Sequence, residues 1–99
     1  MASVTETRAA HAVKAVVTDD TLSVWLDDGR TITTPLAWYP RLMHATEAER
    51  QRFRIIGDGQ GLHWPDLDED LSVAGMLAGQ PSGEGPESLA KWLAARRQR

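Results

Sequence analysis

Ninety-nine residues, 41% of them hydrophobic, form one small domain with a single hydrophobic core, so a large multidomain enzyme is excluded. The net charge of −3, from 14 acidic and 11 basic residues, gives the protein no overall attraction to nucleic acid or to an anionic membrane. The absence of cysteine excludes disulfide scaffolds, thiolate zinc sites, iron–sulfur clusters and thiol nucleophiles.

The segment 11–35 predicts a three-stranded β-meander. The first two strands each carry one apolar face, made by Val13, Ala15 and Val17 and by Leu22, Val24 and Leu26. Asp28-Gly29 separates the second strand from the third and favours a tight type I′ turn. The third strand, 30–34, ends before Pro35, whose nitrogen cannot donate to a β-ladder.

After the meander the apolar spacing changes to that of a helix. One face is formed by Leu36, Tyr39, Leu42 and Met43. Thr46 and Glu49 match a capping box, in which each side chain accepts a hydrogen bond from the other residue's backbone N–H, so a helix starts directly after Thr46. We expect both helical pieces to form one bent element.

A second hairpin and a third helix are predicted over 53–79. Two β-rich runs, 53–56 and 62–64, flank a glycine-rich turn. Acidic residues precede Leu71, which predicts a helix that begins near Leu71 with an aspartate as its N-cap and ends at Gly79. The sequence therefore predicts an α+β fold with a small antiparallel sheet (the three-stranded meander plus a second hairpin), short helices and a C-terminal helix.

The chain divides into a flexible N-terminus, 1–10, a single α+β domain, 11–79, a Pro-, Ser- and Gly-containing linker, 80–85, and an amphipathic C-terminal helix with a basic tail, 86–99. This last helix is too short to be stable alone in water, so it must pack on its own domain or on another chain. The flexible linker favours another chain, with Trp92 as the contact residue.

Motifs for metal binding and catalysis fail their templates. Three alternating carboxylates resemble a calcium loop, namely Asp66, Asp68 and Asp70. Leu71 and Leu77, however, stand where that loop needs a glycine and a bidentate glutamate. No nucleophile elbow or phosphate-binding loop is present in the sequence. We therefore expect no metal, no cofactor and no enzymatic activity.

Two groups of residues are candidates for contacts with other molecules. Trp25 lies on the strand face opposite the apolar one, so it is either open to solvent or covered by a helix. The arginines of 50–54 indicate either a solvated face, the favoured interpretation, or a weak nucleic-acid contact. The full set of candidate interaction residues is Trp25, Arg50, Arg52, Arg54, Leu89, Trp92, Leu93, Arg96 and Arg97.

The charges are segregated along the chain. Residues 55–90 contain seven acidic residues and no lysine or arginine, whereas the rest of the chain carries 11 basic and 7 acidic residues. We expect the two parts to fold against each other and partly cancel, rather than to form a functional acidic face.

Several motifs together resemble a known bacterial family. They are Leu22-x-Val24-x-Leu26-x-Asp28-Gly29, Tyr39-Pro40-x-Leu42, Ala45-Thr46-x-x-Glu49-Arg50, the run from Gly61 to Asp70, and Pro81-Ser82-Gly83-Glu84. This pattern is similar to that of the domain-of-unknown-function family 2442. The resemblance implies a small α+β domain that occurs alone or fused to a DNA-binding helix-turn-helix, with some members beside a small partner in toxin–antitoxin pairs. It implies no catalytic residues.

The sequence thus favours a non-enzymatic protein-interaction module, the antitoxin-like or regulatory half of a pair. Its partner is another protein, or a second copy bound through the C-terminal helix. The alternative is a nucleic-acid-associated regulator that uses the arginine cluster and the basic tail, and a small enzyme ranks third. Residues 1–10 have no apolar core and no long apolar run follows, so a cytoplasmic location is expected.

Overall fold

The computed structural model describes residues 10–97. The strands are β1 (Ala12–Val17), β2 (Thr21–Leu26), β3 (Thr31–Pro35), β4 (Arg54–Ile56), β5 (Gly61–Trp64) and β6 (Glu69–Ser72). The helices are α1 (Pro40–Met43), α2 (Glu47–Gln51), α3 (Val73–Leu77) and α4 (Pro86–Arg97), with 3₁₀ turns at Leu36–Trp38 and Gly57–Gly59. In this described part, no helix is both long and apolar enough to cross a membrane. The predicted flexible N-terminus, except Ala10, and the last two residues of the predicted C-terminal helix lie outside it.

The first sheet is the predicted meander, with antiparallel strand order β1-β2-β3. Its second turn differs from the predicted type I′ turn. Leu26 and Arg30 close the turn with a backbone hydrogen bond of 2.8 Å, and of the three residues between them only Gly29 has a positive φ, at 94°. A three-residue loop with glycine in the left-handed position meets the same twist requirement as a type I′ turn.

A β-bulge in β1 changes the predicted face of Val13. Ala12 pairs with Leu26 and Lys14 with Trp25, so β1 has one extra residue between these two pairs. Val13 was predicted to face the core, but it is 60% exposed. From Lys14 onward, side chains again alternate between the two faces of the sheet, because the extra residue disturbs the alternation only at the bulge.

The second sheet is also a three-stranded meander, with order β4-β5-β6, and it corrects the predicted hairpin. Residues 69–72, expected at the start of a helix, instead pair with β5 as strand β6. Helix α3 starts two residues later than predicted and is capped by Ser72, whose side chain accepts a hydrogen bond from the backbone of Gly75. The predicted aspartate cap is therefore wrong, because the acidic residues lie in the β5–β6 turn and in β6 itself.

The predicted capping box is confirmed, but the predicted single bent helix is not. The Thr46 side chain accepts from the backbone N–H of Glu49 at 3.1 Å, and the Glu49 side chain accepts from Thr46 at 2.9 Å. The helical part of the chain is nevertheless three separate short elements: a 3₁₀ turn, α1 and α2. Met43, predicted on the buried face, is exposed, because α1 ends there.

The core lies between the inner face of the first sheet and a second layer formed by β4–β6 and the short helices. It is built from Ala12, Val17, Leu22, Val24, Leu26, Leu36, Tyr39, Leu42, Leu62, Trp64, Leu67, Val73 and Met76. At one end Gly59 touches β1 so closely that a Cβ there would lie 2.7 Å from the His11 Cβ and 2.8 Å from the Ala12 carbonyl oxygen. This contact joins the two layers and requires glycine.

Candidate functional site

Trp25 lies on the outer face of the first sheet, which is the open alternative of the two that the sequence predicted. Lys14 and Val16 on β1 and Thr31 and Thr33 on β3 are exposed on the same face. The Trp25 ring is partly buried, and the Lys14 Nζ lies 4.9 Å from its centre. A tryptophan held by neighbouring side chains on an open sheet face has little conformational entropy to lose on binding.

The predicted arginine cluster is divided among different structural roles. The Arg50 guanidinium donates to the carbonyl oxygens of Leu42 and Met43, both at 2.9 Å, and so satisfies the end of helix α1. Its own carbonyl accepts from the Trp64 indole at 3.0 Å. Arg50 is therefore a structural residue, and its charge is turned towards the protein.

Arg52 and Arg54 lie closer to solvent than Arg50. Arg52 donates to Asp66 at 2.6 Å, which places it beside the β5–β6 turn. In the second sheet, Arg54 of β4 lies opposite His63 of β5, and His63 lies opposite Asp70 of β6. The His63 Nδ1 and an Asp70 oxygen are 2.5 Å apart. Arg50 and Arg52 thus contact different parts of the protein, and Arg54 lies exposed on β4.

In the single chain, the C-terminal helix packs on its own domain through Trp92, and the expectation that Trp92 serves another chain stays a prediction. The Trp92 ring packs against the hydrophobic core, and its indole N–H donates to the Leu67 carbonyl at 3.1 Å. The guanidinium carbons of Arg41 and Arg96 lie 5.3 Å and 4.5 Å from the ring centre. Leu89 and Leu93, the other predicted apolar residues of this helix, are only partly buried.

Two ion pairs fix the helix at its ends. Arg96 donates both terminal nitrogens to the carboxylate of Glu49, at 2.8 Å and 3.1 Å. This pair and a backbone hydrogen bond from Thr46 lower the pKa of Glu49 to about 2. Near the start of the helix Arg41 donates to the Glu84 carboxylate at 2.6 Å and 3.2 Å, which lowers the pKa of Glu84.

The segment 80–85 leads into this helix and is tied to the domain. The Ser82 N–H donates to the Trp38 carbonyl at 2.9 Å, and Glu84 holds Arg41 and accepts a short hydrogen bond from Ser88. Arg41, Glu49 and Glu84 were not among the predicted interaction residues. Glu49 was identified only as a capping residue, and the sequence separation of 43 between Arg41 and Glu84 leaves no local signal for their pairing.

Charge cancellation between the two parts of the chain is borne out in these contacts. Arg41 pairs with Glu84, and Arg52 pairs with Asp66, so acids of the segment 55–90 neutralise arginines outside it. The same contacts use charge that a nucleic-acid interface would need.

A cleft of about 210 Å³ opens beside β6 and α3, with Tyr39 and Glu69 in its wall. One Glu69 oxygen, Oε2, is shielded from water and has no hydrogen-bond partner within residues 10–97. Burial raises the pKa of Glu69, and so do the nearby Glu84 and Asp70 carboxylates, whereas Arg41 lowers it. The Tyr39 hydroxyl, whose pKa is also raised by burial, donates to Thr34 at 3.1 Å. The cleft therefore holds a carboxyl group whose ionisation the fold opposes.

The Glu49–Arg96 pair predicts an acid-sensitive contribution to stability. Because the pKa of Glu49 is lower in the folded protein, the stabilisation is complete above the unfolded value of 4.5 and is lost as the pH falls towards about 2. We expect Glu49→Gln, which keeps an acceptor for the capping box, to lower the free energy of unfolding by about 1 to 2 kcal/mol at pH 7 and by much less at pH 2. Urea unfolding at both pH values measures this difference.

The matched control for that measurement is Glu47→Gln. It makes the same change in net charge on the same helix, but the Glu47 carboxylate contacts the neutral Gln51 amide. An equal pH-dependent loss in both variants would contradict a specific role for the Glu49–Arg96 pair.

Comparison with known proteins identifies the family of this chain and other proteins with the same fold. The model of the family described as protein of unknown function (DUF2442) matches residues 12–82. A protein of unknown function from Rhodospirillum rubrum is similar over 78% of this chain and 95% of its own, with 32% identity and a TM-score of 0.68. An uncharacterized protein from Chromobacterium violaceum shares the fold at 20% identity and a TM-score of 0.63, over 87% of this chain and 75% of its own. No curated protein matches the chain. With the family model spanning most of its length, the chain belongs to the DUF2442 family.

Proposed function

We propose that this protein is a non-enzymatic interaction module that binds another protein on the outer face of the first sheet. In this proposal it is the regulatory, antitoxin-like half of a two-protein pair and acts in the cytoplasm. The observation that carries it is the position of Trp25 on the open face of the sheet, where Lys14 and several short neutral side chains surround it.

The chemistry of this face suits a protein partner. Ser23 and Thr33 hydrogen-bond to each other at 2.8 Å across β2 and β3, so these two hydroxyls beside the tryptophan already have a partner within the sheet. Val16 adds exposed apolar area, and Lys14 is the one charged side chain among the strand residues that share this face. Tryptophan is enriched at the energetic centres of protein interfaces.

The arginine contacts make a protein a better-supported partner than nucleic acid. Arg50 and Arg96 each use their guanidinium groups on the protein itself, and Arg52 holds Asp66. Electrostatic binding to a phosphate backbone needs several such groups free and on one side. A regulator that bound nucleic acid through Arg50, Arg52 or Arg96 would therefore have to break contacts that stabilise the fold.

Affinity capture with variants tests the proposed surface. Tagged wild-type protein in native cell extract should retain one protein at a stoichiometric level, and Trp25→Ser should weaken its binding at least about tenfold, as expected for a residue at the centre of an interface. The control is Met43→Ser, which replaces an exposed apolar side chain in the helical layer. Mass spectrometry of the bound fraction identifies the retained protein and gives its molar ratio to the tagged protein.

Three results would contradict the proposal. Equal retention by the wild type and Trp25→Ser would show that the partner uses another face. Loss of binding in Met43→Ser but not in Trp25→Ser would place the interface in the helical layer. Nuclease-sensitive material in place of a single protein would favour the nucleic-acid alternative.

A further inference from the structure

Helix α4 is attached to the domain at a few strong points rather than along its length. Its anchors are the Trp92 ring and the two ion pairs described above, whereas Leu89 and Leu93 stay outside the buried core. An open groove of about 530 Å³ remains beside the helix, between Trp92 and Asp68. Dissociation of the helix from the domain therefore breaks the Trp92 contacts and the two ion pairs.

The seat of the helix lies entirely within the part of the chain that precedes it. The Leu67 carbonyl accepts from Trp92, the Glu49 carboxylate pairs with Arg96, and the Arg41 guanidinium lies against the Trp92 ring. The family model, which ends at residue 82, contains this complete seat and none of α4. The helix is thus an attachment to the family domain, and its seat recognises a tryptophan followed four residues later by an arginine.

The segment before the helix has the properties of a hinge. Gly83 and Gly85 both lie in open space, since a Cβ built on either would meet no atom within 4 Å. The Ser82–Trp38 hydrogen bond and the Glu84–Arg41 ion pair hold the segment to the domain. Once these contacts open, the backbone has a wide range of φ and ψ at the two glycines. The Glu84–Arg41 contact lies between them, so it must open or be remade when the segment straightens.

We propose that two copies of this chain exchange α4, so that the helix of each copy occupies the seat of the other. The exchanged dimer forms the same contacts as the monomer, with Trp92 of one copy against Leu67 of the other. Arg96 of one copy likewise pairs with Glu49 of the other, so no ion pair is lost. Exchange of an identical element is a low-cost route to a symmetric dimer, because no new surface has to become complementary. The site and partner differ from those of the proposed function, which concerns Trp25 and a different protein.

A charge-swapped pair of variants distinguishes exchange from packing within one chain. Glu49→Arg and Arg96→Glu each place like charges together when the helix packs on its own domain. When the two variants are mixed and exchange helices, Arg96 of the first chain meets Glu49 of the second, and the reversed pair is also complementary. We expect native mass spectrometry and light scattering to show a one-to-one heterodimer, bound at least about tenfold more tightly than either variant binds itself.

The matched control replaces Arg96→Glu by Arg97→Glu. Arg97 is the adjacent, exposed arginine, so this variant has the same net charge. Its mixture with Glu49→Arg forms one complementary contact and one contact between two arginines, so it should give less heterodimer than the Arg96→Glu mixture. An equal yield from both mixtures would overturn the proposal, because it would show an association that does not use the seat. Monomers in the Arg96→Glu mixture, at about 1 mM and after warming and cooling, would also overturn it.

The proposal can still be tested if a charge-swapped variant fails to fold. Glu49→Arg also loses the capping-box contact of α2. If either variant unfolds, wild-type chains of two different masses are mixed, warmed to near the unfolding transition and cooled. A mixed-mass dimer is then expected, and its absence overturns the proposal. None of these results depends on Trp25, so failure here leaves the capture experiment with Met43→Ser and Trp25→Ser to be judged separately.

Discussion

Replacement of Trp64 by alanine is expected to lower the free energy of unfolding by about 3 to 5 kcal/mol, the range for a large buried aromatic side chain. Trp64 is fully buried and is the largest side chain of the core. Its ring lies 5.7 Å from that of Phe53, and its indole N–H satisfies the Arg50 carbonyl. A small domain has a total stability of about 5 to 15 kcal/mol, so this change removes a large part of it.

A second variant, Trp64→Phe, separates packing from hydrogen bonding. Phenylalanine keeps most of the buried apolar area but leaves the Arg50 carbonyl without its donor, so we expect a loss of about 1 to 3 kcal/mol. Denaturant unfolding, with equal slopes checked for each variant, gives both values. A cost for Trp64→Ala no greater than that for Trp64→Phe would show that the aromatic ring adds little to the core.

Replacement of Trp92 by alanine is expected to cost about 2 to 3 kcal/mol, less than the full range for a buried tryptophan because the ring is only partly buried. The loss comes from apolar contact and from the two guanidinium groups beside the ring. The Leu67 carbonyl keeps a donor, because Arg41 also bonds to it at 3.2 Å. This variant therefore measures how strongly α4 stabilises its own domain.

The control is Lys91→Ala, one residue earlier on the exposed side of the same helix. It should change the free energy of unfolding by no more than about 0.5 kcal/mol. Both variants are measured at a protein concentration low enough for the monomer to dominate. An unchanged unfolding curve for Trp92→Ala under these conditions would contradict packing of the helix within one chain.

Local sequence signals predicted the elements whose stabilising contacts are close in the chain. The Thr46–Glu49 capping box formed because its two hydrogen bonds join residues three apart. The break at Gly29 was predicted because a positive φ excludes most other residues, although the turn proved to have three residues. The alternation of β2 was predicted because a strand with one buried face must be apolar at every second position.

Two misinterpretations came from the same kind of local reasoning. Glu69 and Asp70 have low strand propensity and are typical of a helix start, yet cross-strand pairing with β5 places them in β6. Val13 continues an apolar alternation, yet one extra residue in β1 turns it to solvent. In both cases hydrogen bonds to a neighbouring strand, which no single segment contains, outweighed local preference.

By itself the sequence determined the buried face of β2, the α+β class and the family to which the chain belongs. It also identified Trp25 and Trp92 as candidates for contact. Only the tertiary structure decided which of them is used internally, and it assigned Trp92 to the domain and left Trp25 at an open face. The physical reason is that ion pairs and indole hydrogen bonds depend on distance in space. Arg96 and Glu49 are 47 residues apart in the chain and become partners only when the layers have assembled.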